Sequence, residues 1–196
     1  LKIYLNDKEL DNEYRFLTLP ELLESVKDDI ENRILKLILV NGTEVEEKYL
    51  SEKLIDKEDI QVIKFVTQRT DELIKGTLNQ IDEYLHKLKD GIEETVDLFR
   101  TGETNKANKM YQQIIEGLDW YIQVTTKILS LLNTEGLKKK GNNKLNDLNE
   151  ILGEIMEAQE NEDTVLIADI LEYEISRYIE EFMDFNDEIN NFISND

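Results

Sequence analysis

The one histidine of this chain, His86, is the natural place to look for chemistry. With Glu83 it completes a Glu-x-x-His pair, an i, i+3 spacing that falls on one face of a helix and that helical bundles use to hold bridged metal ions. Such a centre needs the pair on two helices and a lone Glu on two more. A single His excludes it on ligand count, leaving only a carboxylate-rich site of another kind around His86. Cysteine is absent, which removes disulfides, thiol nucleophiles and thiolate metal sites together. The neighbouring acids Glu93-Glu94, Glu180-Glu181 and Asp187-Glu188 would work as general acid and base only in a cleft that drives their pKa values apart. On helices they fall in the polar arc and are expected to be solvated. Asp184-Phe185-Asn186-Asp187-Glu188 offers oxygens without the glycine turn or loop spacing of a calcium site. No glycine-rich phosphate loop and no Ser/His/Asp set occurs. No metal and no cofactor are therefore expected.

The segment His86-Lys87-Leu88-Lys89 resembles the histidine phosphotransfer domains, four-helix bundles in which an exposed His is followed by x-Leu-Lys-Gly and small residues. Here Asp90 stands where the first Gly belongs, Gly91 comes one place late, bulky Ile92 follows, and Leu85 precedes the His. The resemblance implies a phosphoacceptor role for His86. The residues by themselves imply an ordinary surface or boundary His beside a core leucine, and that is the expectation. Candidate partner-binding residues are of another type. Trp120 and Tyr173 flank the apolar seam described below, as do Ile115, Ile122, Ile167, Ile170 and Met183. They either widen the core stripe or form an exposed aromatic patch. With the acidic pair Glu180 and Glu181, Trp120 and Tyr173 are the residues expected to meet a partner.

Charge narrows the partner. The chain carries 23 Lys and Arg against 44 Asp and Glu, a net −21. Residues 1–70 hold 11 bases and 16 acids, whereas residues 146–196 hold 16 acids and only Arg177 as a base. Such a surface repels phosphate backbones and anionic bilayers, so neither nucleic acid nor membrane is an expected partner. A basic or amphipathic helix of a protein partner is. No apolar run approaches the ~18 residues of a membrane span, and no basic-then-apolar leader opens the chain, so a cytoplasmic location is expected.

The first third must be sheet-forming. Lys2-Ile3-Tyr4-Leu5 alternates, Asn6-Asp7 signals a turn, and a second extended run ends near Phe16. Thr18 reads as an N-cap with Pro20 behind it, and Leu22, Leu23, Val26 and Ile30 give the ensuing helix one apolar face. Residues 34–40 are a mostly buried strand closed by Asn41-Gly42, residues 56–59 a turn, and residues 60–66 a last strand. This strand-strand-helix-strand-strand order, with ILVNGTEV and IDKEDIQVIKFV, resembles the ubiquitin-like β-grasp family over residues 1–68, its small sulfur carriers most of all. In that family the chemistry resides in a free C-terminal Gly-Gly. Here the matching place reads Phe65-Val66-Thr67-Gln68-Arg69-Thr70 and the chain continues, so the resemblance implies the fold and not the sulfur-carrier function.

From residue 71 onward the pattern changes to a heptad. Its clearest stretch is Thr164, Ala168, Leu171, Ile175, Tyr178, Phe182, Phe185, Ile189 and Phe192, at alternating steps of 4 and 3. That is a long amphipathic helix with a narrow apolar seam. Helices over about 71–100, 103–133 and 144–160 precede it, with a loop expected over residues 133–143, where Gly136, Gly141 and three lysines occur. Asn161 or Asp163 is the N-cap expected for the fourth helix. Displacement by about 60 residues superposes the seams of the first and second pairs, Leu118 on Ile179 and Tyr121 on Phe182 among them. Each half is then a helical hairpin that buries its seam only against the other. The expected architecture is α+β: a ββαββ β-grasp domain over 1–68 and an antiparallel four-helix bundle over 71–196. The bundle is similar to an uncharacterised bacterial family of helical proteins. It is also loosely similar to flagellar export chaperones through Gly102-Glu103-Thr104-Asn105-Lys106-Ala107. The functional expectation is a non-enzymatic adaptor, with a His86-centred phosphotransfer or metal-dependent bundle as the rival and self-association through the seam as a third option.

Overall fold

The computed structural model describes residues 1–195. It is an α+β chain that divides into two compact units, one over Leu1–Leu73 and a second from Ile74 onward. The residue-71 start expected for the helical part leaves no linker: strand β5 (Val62–Arg69) is followed directly by helix α3 (Thr70–Arg100).

The first unit contains β1 (Lys2–Leu5), β2 (Lys8–Glu9), α1 (Leu19–Asp29), β3 (Arg33–Val40), β4 (Thr43–Val45), α2 (Glu47–Ser51) and β5. The sheet runs β2-β1-β5-β3-β4, with β1 and β5 parallel at its centre and the other pairs antiparallel. Alternation along β5 sends Ile63, Phe65 and Thr67 inward, where the two apolar side chains join Ile3, Leu22, Leu23, Val26 and Ile38. A capping box between Thr18 and Glu21, with Pro20 in the first turn, starts α1 as its residues dictate. Two expectations change. The second extended run shrinks to Lys8–Glu9, because Asn12–Phe16 winds into a 3-10 turn. A fifth strand, β4, pairs with β3 across Asn41-Gly42, both at positive φ (51° and 85°) as a tight hairpin turn requires.

In the second unit α3, α4 (Thr104–Leu131) and α5 (Glu135–Glu160) are followed by one long helix in three segments. These are α6 (Thr164–Asp169), a π turn (Ile170–Ile175) and α7 (Ser176–Asn195). Cross-helix contacts fix the topology. Tyr84 meets Trp120 and Leu88 lies at Gly117 (α3 with α4), Tyr111 meets Gln159 and Leu129 lies at Gly141 (α4 with α5). Lys144 and Lys140 pair with Glu181 and Glu188 (α5 with α7), and Lys89 and Arg100 pair with Glu180 and Glu172 (α3 with the fourth helix). In each pair one number rises as the other falls, so all four neighbours are antiparallel. Each buried seam side chain contributes ~1.5–3 kcal/mol, and the seam continues through all four helices.

The expected loop over residues 133–143 is largely helix. Leu137, Gly141, Leu145 and Leu148 continue the seam at helical spacing and are buried. Gly141 is there for proximity: an added Cβ would come within 2.6 Å of a Leu129 methyl and 3.0 Å of Phe185. The cap of the fourth helix is Asp163, whose carboxylate accepts from the Leu166 amide at 3.0 Å. Within that helix the expected seam shifts at one position: Ile179 is fully buried while Tyr178 is only partly so, and Phe182, Phe185 and Ile189 stay buried as expected. At about 100° per residue Ile179 lies nearer the face of Ile175 than Tyr178 does. One-residue offsets also put Tyr111 rather than Met110, and Ile151 rather than Leu152, in the core.

Candidate functional site

Between α3 and the fourth helix, at the level of the π turn, lies a groove of about 220 Å³ lined by Ile92, Glu93, Val96, Asp97, Glu172 and Ser176. Heptad spacing puts Ile92 and Val96 inward, so they form its apolar floor. Glu93 and Asp97 follow them by one residue each and therefore stand on the rim, exposed. Neither holds an ion pair among the described residues. The opposite wall comes from the π turn and the residue just after it. The Ser176 hydroxyl donates to the Leu171 carbonyl at 3.1 Å, an i to i−5 contact that closes the wider turn. Glu172 accepts from Arg100 at 2.9 Å, and Arg100 also lies 3.7 Å from Asp169. This hydrogen bond holds the Glu172 carboxyl below its ordinary range and raises the guanidinium further, so both stay charged. Arg100 thus caps one end of the groove, and the Lys89–Glu180 pair lies beyond the other.

The groove joins an aliphatic floor to two carboxylates that make no direct ion pair among the described residues, although Glu93 feels the charge of Lys89 one turn away. Its chemical preference follows: an apolar stem ending in a cation, as in lysine or arginine.

The residues expected to meet a partner are distributed over three faces. Tyr173, 64% exposed, belongs to the π turn and interacts with Arg100 at the end of the groove. Glu180 shares the same α3–α7 seam but is engaged by Lys89. Glu181 faces α5, where Lys144 holds it at 2.8 Å, with Arg177 at 3.6 Å. Trp120, 41% exposed, lies on the α3–α4 face with its ring edge-on to Tyr84, 4.9 Å between centroids. Gly117 makes that contact, since a Cβ there would sit 1.8 Å from the Tyr84 hydroxyl. Of the other flanking apolar residues, Ile167 and Ile170 are buried, and Ile115, Ile122 and Met183 pack against the core.

His86 is an exposed residue of α3. Its Nδ1 donates to the Asp82 carbonyl at 2.8 Å and stands 3.9 Å from the Asp82 carboxylate. Among the described residues, no three His, Asp or Glu side chains gather as a metal site would need. Residue pattern had marked Glu93 as a solvated acid and left Asp97, Glu172 and Ser176 unremarked. The i, i+4 pair Glu93 and Asp97 beside seam residues was a signal, but the wall opposite them, Glu172 and Ser176, comes from a helix about 75 residues on in the chain.

The fold and the groove describe an α+β protein whose helical bundle carries an acidic, partly apolar recess. A family model described as a domain of unknown function (DUF8042) matches residues 76–185, within the bundle, and the chain belongs to that family. No curated protein and no solved structure matches it. No helix among the described residues is long and apolar enough to cross a membrane.

Proposed function

We propose that this chain is a non-enzymatic adaptor of the bacterial cytoplasm that docks a basic or amphipathic helix of a protein partner against its acidic bundle. The observation that carries the reading is the α3–π-turn groove, where Glu93 and Asp97 stand free over Ile92 and Val96. A lysine or arginine of the partner lays its stem on the apolar floor and brings its charge between the two carboxylates. The excess of acids over the whole chain draws such a partner in and discourages anionic ones. Tyr173 supplies an exposed ring at the edge of the contact. The sheet order of the first unit supports the β-grasp likeness and leaves a short outer strand, β4, as a second surface.

The test is affinity capture from cytoplasmic extract with the full chain, the Glu93→Gln/Asp97→Asn double variant and His86→Ala. Proteins held by the full chain at low salt should be lost from the double variant and from the full chain at high salt, where screening is short-ranged. His86→Ala should retain them. The same set recovered with the double variant overturns the reading, and loss with His86→Ala alone transfers it to the imidazole.

A further inference from the structure

Asn186 is a core residue, 4% exposed, and neither its amide nitrogen nor its carbonyl oxygen has a hydrogen-bond partner among the described residues. Exchanging the two ends of the amide changes nothing, since both are orphaned. On α4 the Thr125 hydroxyl is buried and unpartnered in the same way. An amide or hydroxyl taken out of water and left unbonded is costly, and folded proteins rarely tolerate it.

A remedy within one helical turn exists, and these two residues do not take it. Asn161 and Asn195 donate their side-chain amides to the carbonyls of Glu157 and Asn191, four residues back. Thr95, buried as completely as Thr125, donates to the Gly91 carbonyl at 2.7 Å. Thr101 and Thr126 do the same with Asp97 and Ile122. Asn186 and Thr125 keep their polar atoms off their own backbone.

They are also at one level of the core. With all four neighbours antiparallel, α4 and the fourth helix run in the same direction across the diagonal. Tyr121 packs on Phe182 with 4.7 Å between ring centroids. Thr125 follows Tyr121 by one turn, and Asn186 follows Phe182 by one turn, so both stand about 6 Å farther along. The Tyr121 hydroxyl has Thr125 as its polar neighbour, which adds a third group to the layer. Along the helices this layer is enclosed by apolar side chains, Phe182 and Ile189 on one and Ile128 on the other.

We infer that Asn186 and Thr125 form an internal water-binding site, with at least one water held between the two side chains. That water bonds the Thr125 hydroxyl and one end of the Asn186 amide. Water fits because a single atom both donates and accepts, and internal waters serve buried polar groups in this way. A metal ion or an anion would be stranded here, since the surrounding side chains carry no charge to balance it. The site is independent of the acidic groove and survives if that groove binds nothing.

Water residence decides the matter. Oxygen-17 magnetic relaxation dispersion on the full chain counts the internal waters that exchange slowly. Chains of this size hold several, so the count is read as a difference from the Asn186→Leu/Thr125→Val double variant, whose side chains keep similar shapes and lose the polar atoms. The parent should hold at least one more long-lived water, and equal counts overturn the inference. Should the double variant fail to fold, nuclear Overhauser contacts in the parent decide. The Asn186 side-chain amide protons should show a direct cross-peak to water, with the sign of a molecule that tumbles with the protein. Lack of that cross-peak overturns the inference.

Discussion

Helix α4 and the fourth helix carry the same pattern 61 residues apart, yet they meet the core differently. In α4 the buried series Ala107, Tyr111, Ile114, Leu118, Tyr121, Thr125 and Ile128 keeps the 4-3 alternation throughout, and the helix is α from end to end. Its counterpart runs Ala168, Leu171, Ile175, Ile179, Phe182, Asn186 and Ile189, with two steps of 4 in succession between Leu171 and Ile179. Helix α3 takes the same two steps, Leu88 to Ile92 to Val96, as an unbroken α-helix, so they follow from about 3.6 residues per turn and not from the π turn. Matching patterns therefore do not guarantee matching helices: the fourth helix carries a π turn over Ile170–Ile175 where α4 has none. Each of the two buries a polar residue in its series, Thr125 and Asn186.

Three variants test the contrast between the two helices. The largest effect should come from Phe182→Ala, which removes a fully buried ring packed at a tilt on Tyr121. A loss of ~3–5 kcal/mol is expected in denaturant unfolding, the usual cost of deleting a buried aromatic. A much smaller loss would mean that α4 and the fourth helix do not pack closely at this layer. Next, Gly141→Ala puts a methyl against Leu129 and Phe185, whose terminal atoms must give way in a packed interior. Overpacking of ~1–3 kcal/mol, offset by ~1 kcal/mol of helix propensity, predicts a net loss of about 1 kcal/mol. A gain in melting temperature would show that α4, α5 and α7 do not pack closely there.

The smallest effect is expected from Tyr121→Phe, which deletes a buried hydroxyl whose one polar neighbour is Thr125 and leaves the contact with Phe182 in place. Stability near neutral pH should hold or rise by up to ~1 kcal/mol. Burial pushes the Tyr121 phenol well above its ordinary pKa, favouring the neutral form in the fold. Its contribution is complete below about pH 10, where the unfolded tyrosine is also neutral, and falls as pH rises beyond that. Unfolding curves at neutral and strongly alkaline pH should therefore show a smaller alkaline loss in Tyr121→Phe than in the parent. An identical alkaline loss would mean that the phenol reaches solvent in the folded state.

Much of this molecule is legible in its residues. Thr18 with Pro20 and Asn41-Gly42 mark element boundaries by chemistry that acts within a few residues and are found where they were expected, and of the two N-cap candidates Asn161 and Asp163 it is Asp163 that caps the fourth helix. The seams of α3 and α4 follow from periodicity with small offsets. Legibility fails where a residue's use depends on something distant. Gly141 and its lysine neighbours look like a loop because glycine is a poor helix former, but Leu129 and Phe185 give that glycine a reason to be helical. Glu180 and Glu181 look like free acids until Lys89 and Lys144 arrive from other helices. The groove was equally hidden, because Glu93 and Asp97 gain an opposite wall only from Glu172 and Ser176 of the fourth helix.

The amino-acid sequence alone determined that a sheet-forming third precedes four amphipathic helices, that cysteine chemistry is unavailable, and that the surface is strongly acidic. Those properties depend on composition and on spacings of two to seven residues. Whether Ile179 or Tyr178 is buried, whether Asn186 faces water or the core, and where Glu93 and Asp97 face a recess were decided by tertiary structure. Four helices must interlock at one set of levels, and no spacing within one helix tells a residue what lies across the bundle from it.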